Sequence, residues 1–328
     1  MHGWIILDKP LGLGSTQAVS AVKRVLRARG LAKPKVGHGG TLDPLATGIL
    51  PVAIGEATKL AGRMLDASKV YDFTIAFGVE TDTLDAEGTA VATSNVRPSW
   101  AEIEAVLPRF TGDIEQVPPA FSAMKVDGER AYDLARAGEE VTLASRQVTV
   151  FSLTIPPLQG EGDHAKHGGG VLPGRSSGDT PPPPPAGPLP LQGRIGAITL
   201  TAHVSKGTYI RSLARDIARA LGTVGHVTML RRTRAGPFTL DQAITLDKLN
   251  ELGQGRGPIE FLLPIRAGLD DIPALSLTPV QAGLLRQGRQ VDGIAASDGL
   301  CFAQLGDVPV ALAEVKDGIV RVVRGFNL

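Results

Sequence analysis

Residues 37–48 read Gly-His-Gly-Gly-Thr-Leu-Asp-Pro-Leu-Ala-Thr-Gly and place a single carboxylate, Asp43, among glycines. Pro44 disfavours a helical backbone for the residue before it, so Asp43 should be extended and present its side chain from a loop. Residues 30–51 as a whole are rich in Gly and Pro without a sustained period, which predicts a long loop, ordered or disordered. A long ordered loop of this kind is usually functional.

Three familiar uses of such a loop do not fit the residues. A phosphate-binding loop requires Lys where Ile49 stands. The Gly12-Leu13-Gly14 segment suggests dinucleotide binding, but Gln17 replaces the third glycine and no acidic residue follows about 20 positions later. A hydrolytic triad or metal site lacks partners, because His38 is the only nearby histidine and the loop holds no second carboxylate. A lone carboxylate acting as nucleophile remains, and it needs a cationic partner from elsewhere in the chain.

The composition indicates a globular protein with one large core and a second, smaller one, since 43% of the 328 residues are hydrophobic. No run approaches the roughly 20 apolar residues of a membrane-spanning helix, and the amino terminus lacks signal-peptide character. We therefore expect a cytoplasmic protein that does not bind membranes. Cys301 is the only cysteine, which excludes an internal disulfide and a multi-cysteine zinc site, and its apolar neighbours indicate strand core.

Charge is segregated along the chain, although the net charge is only +1. Residues 1–63 hold nine Lys or Arg and three acids, a net of +6, and residues 203–236 hold seven and one, again +6. Residues 64–150 between them hold seven bases and fifteen acids, a net of −8. This pattern favours a surface that binds a polyanion, although charges that merely solvate helices would also produce it.

Hydrophobic periodicity predicts an α+β chain rich in antiparallel strands. The alternation of apolar and small or polar residues over residues 71–77 defines a strand with one buried face. Ser99 and Glu102 form a capping box for the helix that follows them. Further elements are expected as strands at residues 4–7, 148–155 and 195–204 and as a helix at 210–221.

The amino-terminal helix and the carboxy-terminal region complete the prediction. Ser15 and Thr16 are candidate caps of a helix that buries Val19, Val22 and Leu26. The last sixty residues predict a small β-rich domain, with a helix near 279–286 and strands at 300–305, 308–315 and 319–323.

Residues 156–196 interrupt these elements with ten Gly and ten Pro in forty-one positions and no aromatic residue. Such a segment cannot bury enough apolar surface to offset its ordering entropy, so we expect a disordered insertion between two strands of one core. His164 and His167 lie within it, but two histidines in a flexible polar tract rarely bind a metal without further ligands. We therefore expect no metal.

The loop at residues 37–48 resembles the catalytic loop of TruB-type pseudouridine synthases. Four further blocks are similar to that family in the same order, namely Leu-Asp-Lys-Pro at 7–10, Thr-Asp-Thr-Leu-Asp at 81–85, Ser-Lys-Gly-Thr-Tyr-Ile-Arg at 205–211, and residues 226–232. Together the five blocks span most of residues 3–236, which makes a chance similarity untenable.

The resemblance implies roles for the residues of the reaction itself. Asp43 would be the nucleophile, Arg211 its ion-pair partner, and Tyr71 the ring stacked on the target uracil. Whether Asp43 attacks the ribose or C6 of the uracil, or assists formation of a glycal, stays open. The resemblance favours the ribose-centred route, with Tyr71 near the abstracted proton.

The resemblance also implies residues that bind the RNA. Tyr209 and Leu230 would close the base pocket, and His38 would fill the space that the extracted base leaves in the RNA. Lys9 would contact the phosphate backbone or brace the catalytic loop. Extraction of a base costs a few kcal/mol, which stacking and pocket hydrogen bonds offset.

The implied fold is an α+β pseudouridine-synthase core at residues 1–250, built on a long mixed, mainly antiparallel sheet with flanking helices, followed by a PUA-like RNA-binding β domain at 265–328. The implied activity is the conversion of uridine-55 in the T arm of tRNA to pseudouridine, without a cofactor, by a monomer with no obligatory protein partner. A rival hypothesis is a non-catalytic RNA-binding or tRNA-folding protein that uses the same basic cleft. Asp43 separates the two, because a pure polyanion binder would gain affinity on losing a carboxylate.

Overall fold

The computed structural model describes residues 1–122, 124–126, 128–139, 141–157, 193–254 and 261–328. In these ranges the strands are β1 (Gly3–Lys9), β2 (Val36–His38), β3 (Ala46–Ile54), β4 (Lys69–Phe77), β5 (Val79–Thr81), β6 (Ala90–Thr93), β7 (Gly112–Gln116), β8 (Lys125–Val126), β9 (Glu129–Arg130), β10 (Arg146–Thr154), β11 (Ala197–Val204), β12 (Gly225–Ala235), β13 (Phe238–Thr239), β14 (Ala243–Ile244), β15 (Ala274–Ser276), β16 (Gly299–Leu305), β17 (Val308–Lys316) and β18 (Ile319–Gly325). The helices are α1 (Ser15–Ala28), α2 (Ala61–Asp66), α3 (Trp100–Val106), α4 (Ala131–Arg136), α5 (Ile210–Ala220), α6 (Leu246–Gln254) and α7 (Pro279–Arg286).

One long sheet organises most of the chain, with strand order β14-β1-β3-β12-β4-β11-β10-β7. Two short strands lie outside this order: β2 pairs with β3, and β13 pairs with β12. β1 runs parallel to β14 and β12 runs parallel to β3, whereas the other neighbours are antiparallel. The expectation of a mixed, mainly antiparallel sheet with flanking helices is confirmed.

The strand expected from the alternation at residues 71–77 is β4, near the centre of the sheet. Phe73, Ile75 and Phe77 are buried in one apolar cluster with α5, whose Leu213 and Ile217 face the same side. The period-two pattern arises because only one face of β4 has this cover.

Residues 30–51 were expected to form a loop, and this prediction is wrong for much of the segment, because β2 lies within it and β3 begins within it. β3 is buried on both faces: Ile49 and Ala53 join one apolar cluster, and Leu50 and Val52 join another. A strand that is covered on both faces reads as a continuous apolar run and lacks the alternation of apolar and polar residues that marks a half-buried strand. Pro51 also argues against a central strand.

The cap of α1 also differs from the expectation. Gly14 is the residue before the helix, and its N–H donates to Gln17 Oε1 at 2.8 Å. Ser15 is the first helical residue, and its hydroxyl binds Leu42 in the Asp43 loop instead. The expected burial of Val19, Val22 and Leu26 is confirmed, as is the capping box of Ser99 and Glu102.

The carboxy-terminal sheet has the order β15-β16-β17-β18 and is covered by α7, in agreement with the expected helix and strands. Cys301 is buried in its core, as expected. Phe302 and Phe326 instead join an apolar cluster that contains Trp4 and Phe238 of the long sheet. Trp4 is fully buried, and its indole N–H donates to Ile265 O at 3.2 Å, so one core spans the two sheets.

The predicted disordered insertion at 156–196 falls largely on residues 158–192, which lie outside the described residues. In the described part of the chain, helices are all too short or too polar to cross a bilayer.

Candidate active site

The Asp43 loop joins β2 to β3, and a buried arginine holds its first half. Arg232 on β12 is 1% exposed. Its guanidinium donates to Ile49 O at 2.7 Å, Gly40 O at 3.2 Å and Thr41 O at 3.3 Å. A guanidinium spreads its donors in a rigid plane, so three carbonyls fix the backbone leading to Asp43.

A buried lysine holds the second half of the loop. Lys9, at the end of β1, donates from Nζ to Leu13 O at 2.6 Å, Pro10 O at 3.0 Å and Pro44 O at 3.2 Å. Its side chain has no exposed surface. Of the two roles that the resemblance implied for Lys9, this geometry supports the brace of the Asp43 loop.

The middle of the loop is tied to α1. Ser15 Oγ donates to Leu42 O at 2.9 Å and accepts from Leu42 N at 2.8 Å. Pro44 O also accepts from Gly12 N at 2.9 Å. Residues on both sides of Asp43 are therefore fixed, and the carboxylate is presented from a rigid support.

Asp43 is bound to a cation that it shares with a second carboxylate. Arg211 Nη2 lies 2.8 Å from Asp43 Oδ2, and Arg211 Nη1 lies 3.2 Å from Asp85 Oδ2. The Arg211 and Asp85 side chains are 8% and 9% exposed, whereas Asp43 is 44% exposed. Asp85 therefore serves as a buried counter-charge, and Asp43 is the carboxylate that a ligand can reach.

The shared arginine is held by backbone carbonyls as well. Arg211 Nη1 donates to Thr83 O at 2.8 Å, and Nη2 donates to Phe121 O at 3.0 Å. Asp85 Oδ1 accepts from Thr83 Oγ1 at 2.6 Å. Leu84, between them, has a φ of 62°, a left-handed conformation that is uncommon for a non-glycine residue and that turns both neighbours toward Arg211.

A cavity of about 790 Å³ opens over this ion pair. Its walls come from the start of α1, the Asp43 loop, the 82–89 turn, the 121–122 segment and α4, together with Tyr209 and Arg211. The volume lies in the range of small-ligand pockets, about 300–1,000 Å³. A small crevice beside it contains Asp43, Arg211 and Leu230.

The structure brings some of the predicted site residues together and leaves others apart. Asp43, Arg211 and Tyr209 line the cavity, and Leu230 lines the adjoining crevice. Tyr71 and Leu230 are each partly buried against both apolar clusters of the long sheet, and Tyr71 lies outside the lining of both spaces in the described residues. His38 lies on β2 and also stays outside these linings. Burial and the nearby Arg232 lower the pKa of its imidazole.

Three further residues support the site, and none of them had a predicted role. Asp85 belongs to the 81–85 block that resembles the TruB-type family, but its ion pair with Arg211 joins positions far apart in the chain. Arg232 likewise sits in a matching block without an assigned contact. Arg146 places its guanidinium 4.7 Å from the Tyr209 ring centre and donates to Gly207 O, so it steadies the segment that carries Tyr209 and Arg211.

Burial makes Lys9 a source of pH-dependent stability. The pKa of Lys9 is lowered from 10.5 to about 8, mainly by burial; Asp43 opposes the change and the nearby Arg232 adds to it. Between these pH values the unfolded chain holds a proton that the folded chain lacks, so the free energy of unfolding rises with pH by up to about 1.4 kcal/mol per unit. Below about pH 8 Lys9 is charged in both states and contributes no pH dependence.

We therefore expect the stability of the wild type relative to Lys9→Met to increase between pH 8 and 10, measured by urea denaturation. Because burial also lowers the pKa of Lys69 to about 8, only the difference between the two proteins isolates Lys9. A stability difference that stays constant or decreases from pH 8 to pH 10 would contradict the lowered pKa of Lys9.

Within the described ranges, no group of three or more His, Cys, Asp or Glu is placed to hold a metal ion. The chemistry that the site offers is that of an accessible carboxylate beside a fixed guanidinium.

Solved structures of other proteins share this fold. A chain in the structure of an H/ACA RNP bound to a substrate RNA containing 2′-deoxyuridine is 23% identical to this chain. The TM-score is 0.67, and the match covers 99% of this chain and 85% of that chain. A Cbf5-Nop10-Gar1 complex gives 25% identity with the same TM-score and the same coverage. The fold is that of the pseudouridine synthases.

Sequence comparison then assigns the family. The TruB family pseudouridylate synthase N-terminal domain matches residues 23–166, and the tRNA pseudouridylate synthase B C-terminal domain matches residues 211–267. The tRNA pseudouridine synthase B of Novosphingobium aromaticivorans is 61% identical over 100% of this chain and 98% of its own length. That of Zymomonas mobilis is 53% identical over 100% and 96%. The chain belongs to the TruB family of pseudouridylate synthases.

Proposed function

We propose that this protein converts uridine-55 in the T arm of tRNA to pseudouridine, with Asp43 as the catalytic carboxylate. The names of its relatives, tRNA pseudouridine synthase B, support tRNA as the substrate. The assignment of Asp43 rests on its 2.8 Å ion pair with Arg211 in the wall of the cavity. The guanidinium compensates the charge on one oxygen, and the exposure of the carboxylate leaves it open to a nucleotide.

The proposed reaction balances without a cofactor. The bond between N1 of uracil and C1′ of ribose breaks, the base rotates, and C5 forms a new bond to C1′. The proton on C5 is lost and N1 gains a proton, so nothing is oxidised or reduced. In the ribose-centred route the Asp43 carboxylate bonds to C1′ as the bond to N1 breaks, and this bond breaks in turn when C5 bonds to C1′. A fixed carboxylate is suited to that role.

The proposed base pocket uses Tyr71, Tyr209 and Leu230. Tyr71 and Leu230 lie on the adjacent strands β4 and β12, and both side chains pack against the same two apolar clusters. Leu230 also lines the crevice that contains Asp43. Arg146 stacks on Tyr209 and keeps that ring at the cavity. His38 would fill the space that the extracted base leaves, which requires the RNA to approach β2.

A cationic path for RNA leads away from the cavity along α1. The first turn of α1 lines the cavity, the helix carries no acidic residue, and Arg24 and Arg27 are exposed on it. The cations of α5 are less available, because Arg215 contacts Asp216 and Arg219 contacts Glu80. Arg24 and Arg27 form no ion pair in the part of the chain that the structure describes, so they suit the phosphate contacts that position an RNA.

We further propose that residues 1–250 form the catalytic domain and residues 265–328 a PUA-like RNA-binding domain, in a protein that acts as a monomer without a cofactor or an obligatory protein partner. Residues 265–328 hold six Lys or Arg and seven acids. Their contact with RNA would therefore depend on shape and on local cations such as Arg321 and Arg324 of β18, because overall charge gives no attraction.

The proposal is tested with a tRNA transcript carrying tritium at C5 of its uridines. We expect tritium release of one equivalent per tRNA and a single pseudouridine at position 55. The control transcript has cytidine at position 55 and should release no tritium. Tight binding without release would favour the non-catalytic RNA-binding alternative, and release from the control transcript would place the target elsewhere.

A further inference from the structure

Ser122 carries a buried hydroxyl that makes no hydrogen bond within the described ranges of the chain. The residue is 4% exposed and lines the same cavity as Asp43 and Tyr209. Its Oγ is buried and has no hydrogen-bond partner among the described residues. The backbone is fixed, because Ser122 N donates to Ala120 O at 2.9 Å and Ser122 O accepts from Tyr132 N at 3.0 Å.

Ser122 directly follows a residue that contacts the ion pair. Phe121, the preceding residue, accepts a hydrogen bond on its carbonyl from Arg211 Nη2 at 3.0 Å. The same nitrogen lies 2.8 Å from Asp43 Oδ2. Ser122 is thus one peptide away from the guanidinium that holds the catalytic carboxylate, on a segment whose position that guanidinium fixes.

A buried hydroxyl without a partner costs about 1–3 kcal/mol, and most buried polar groups avoid this cost. Two other buried serines of this region do avoid it. Ser212 Oγ donates to Val117 O at 2.8 Å, and Ser15 Oγ bonds to Leu42. The vacant hydrogen-bonding capacity of Ser122 therefore points to a ligand as its partner.

We propose that Ser122 Oγ hydrogen-bonds the extracted uracil in the cavity and is a substrate-binding residue of the isomerisation. The inference rests on the proposed function. Uracil offers carbonyl acceptors at O2 and O4, and after rotation it presents an N1–H donor that uridine lacks. A hydroxyl can donate or accept a hydrogen bond and can rotate about its C–O bond. One serine can therefore hydrogen-bond the base both before and after its rotation.

The test compares Ser122→Ala with the wild type for tritium release and for thermal unfolding. We expect kcat/KM to fall about 10-fold, since one hydrogen bond to the substrate is lost. The melting temperature should stay unchanged or rise, because the folded protein loses no hydrogen bond. The matched control is Ser212→Ala, which removes a bonded hydroxyl from the same region and should lower the melting temperature.

Two results would overturn the inference. The first is full turnover by Ser122→Ala, and the second is a loss of turnover that accompanies a lower melting temperature, which would mark Ser122 as structural. The proposed function fails separately, if the wild type itself releases no tritium from tRNA.

Discussion

Replacement of Asp43 by Asn should lower kcat by at least about 10⁴-fold while the RNA remains bound. The substitution keeps the size of the side chain and the backbone contacts of the loop but removes the nucleophilic oxygen, and loss of a nucleophile costs more than loss of a binding group. Binding should stay near the wild-type value or tighten slightly, because a negative charge leaves a surface that binds a polyanion. Tritium release in single turnover and a filter-binding titration measure the two effects.

The matched control for this variant is Asp72→Asn, in the same sheet. Asp72 Oδ1 accepts from Thr201 Oγ1 at 2.7 Å, a contact that an amide oxygen can also make. Asp72→Asn should therefore turn over like the wild type. Turnover by Asp43→Asn at the wild-type rate would reject the catalytic assignment, and a large loss in Asp72→Asn would show that the assay reports general damage.

Replacement of Arg211 by Met should destabilise the fold by about 3–5 kcal/mol in addition to abolishing turnover, because it leaves Asp85 buried without its cation. Asp43 loses the same cation but is 44% exposed and can be hydrated. Urea denaturation at pH 7 measures the loss. The double variant Asp85→Asn/Arg211→Met should recover part of the stability and none of the turnover, because the buried charge is removed but the catalytic pair is not restored.

The control for the stability change is Arg266→Met, which breaks an ion pair with Asp307 whose two side chains are 56% and 93% exposed. Exposed pairs of this kind contribute about 0–1 kcal/mol. An Arg211→Met protein as stable as Arg266→Met would mean that Asp85 does not depend on Arg211.

The elements that could be predicted from sequence are those whose one face is polar. From Phe73 to Phe77, β4 alternates between buried and half-buried residues with a period of two. In α5 the apolar residues Ile210, Leu213 and Ile217 follow helical spacing. β3 could not be predicted in this way, because successive side chains enter two different apolar clusters and Pro51 interrupts the pattern. Ser15 was misread for a related reason: a hydroxyl next to a helix start can cap the helix or bind a loop 27 positions away, and the sequence does not distinguish them.

The candidate site also combines residues that the sequence indicates with residues that it does not. Asp43 stands out because glycines and Pro44 surround it, and the segment that ends in Arg211 was found only through the resemblance. The buried partners Arg232 and Asp85 carry no local signal, because their importance comes from pairs such as Arg232 with Gly40 that are separated by 192 positions. Ser122 carries no local signal either, because the burial of its hydroxyl arises only in the folded chain. Spacing along a chain holds no information about such distances.

The apolar cluster in which Trp4 meets Phe302 and Phe326 makes the two sheets interdependent. A chain cut before residue 265 would open a tryptophan and its neighbours to water, together with the indole N–H that Ile265 accepts. The carboxy-terminal sheet is consequently no detachable module. Heat or denaturant should melt both sheets in one cooperative step, and a graft of the last sixty residues onto another protein would have to bring a replacement for the first strand with it.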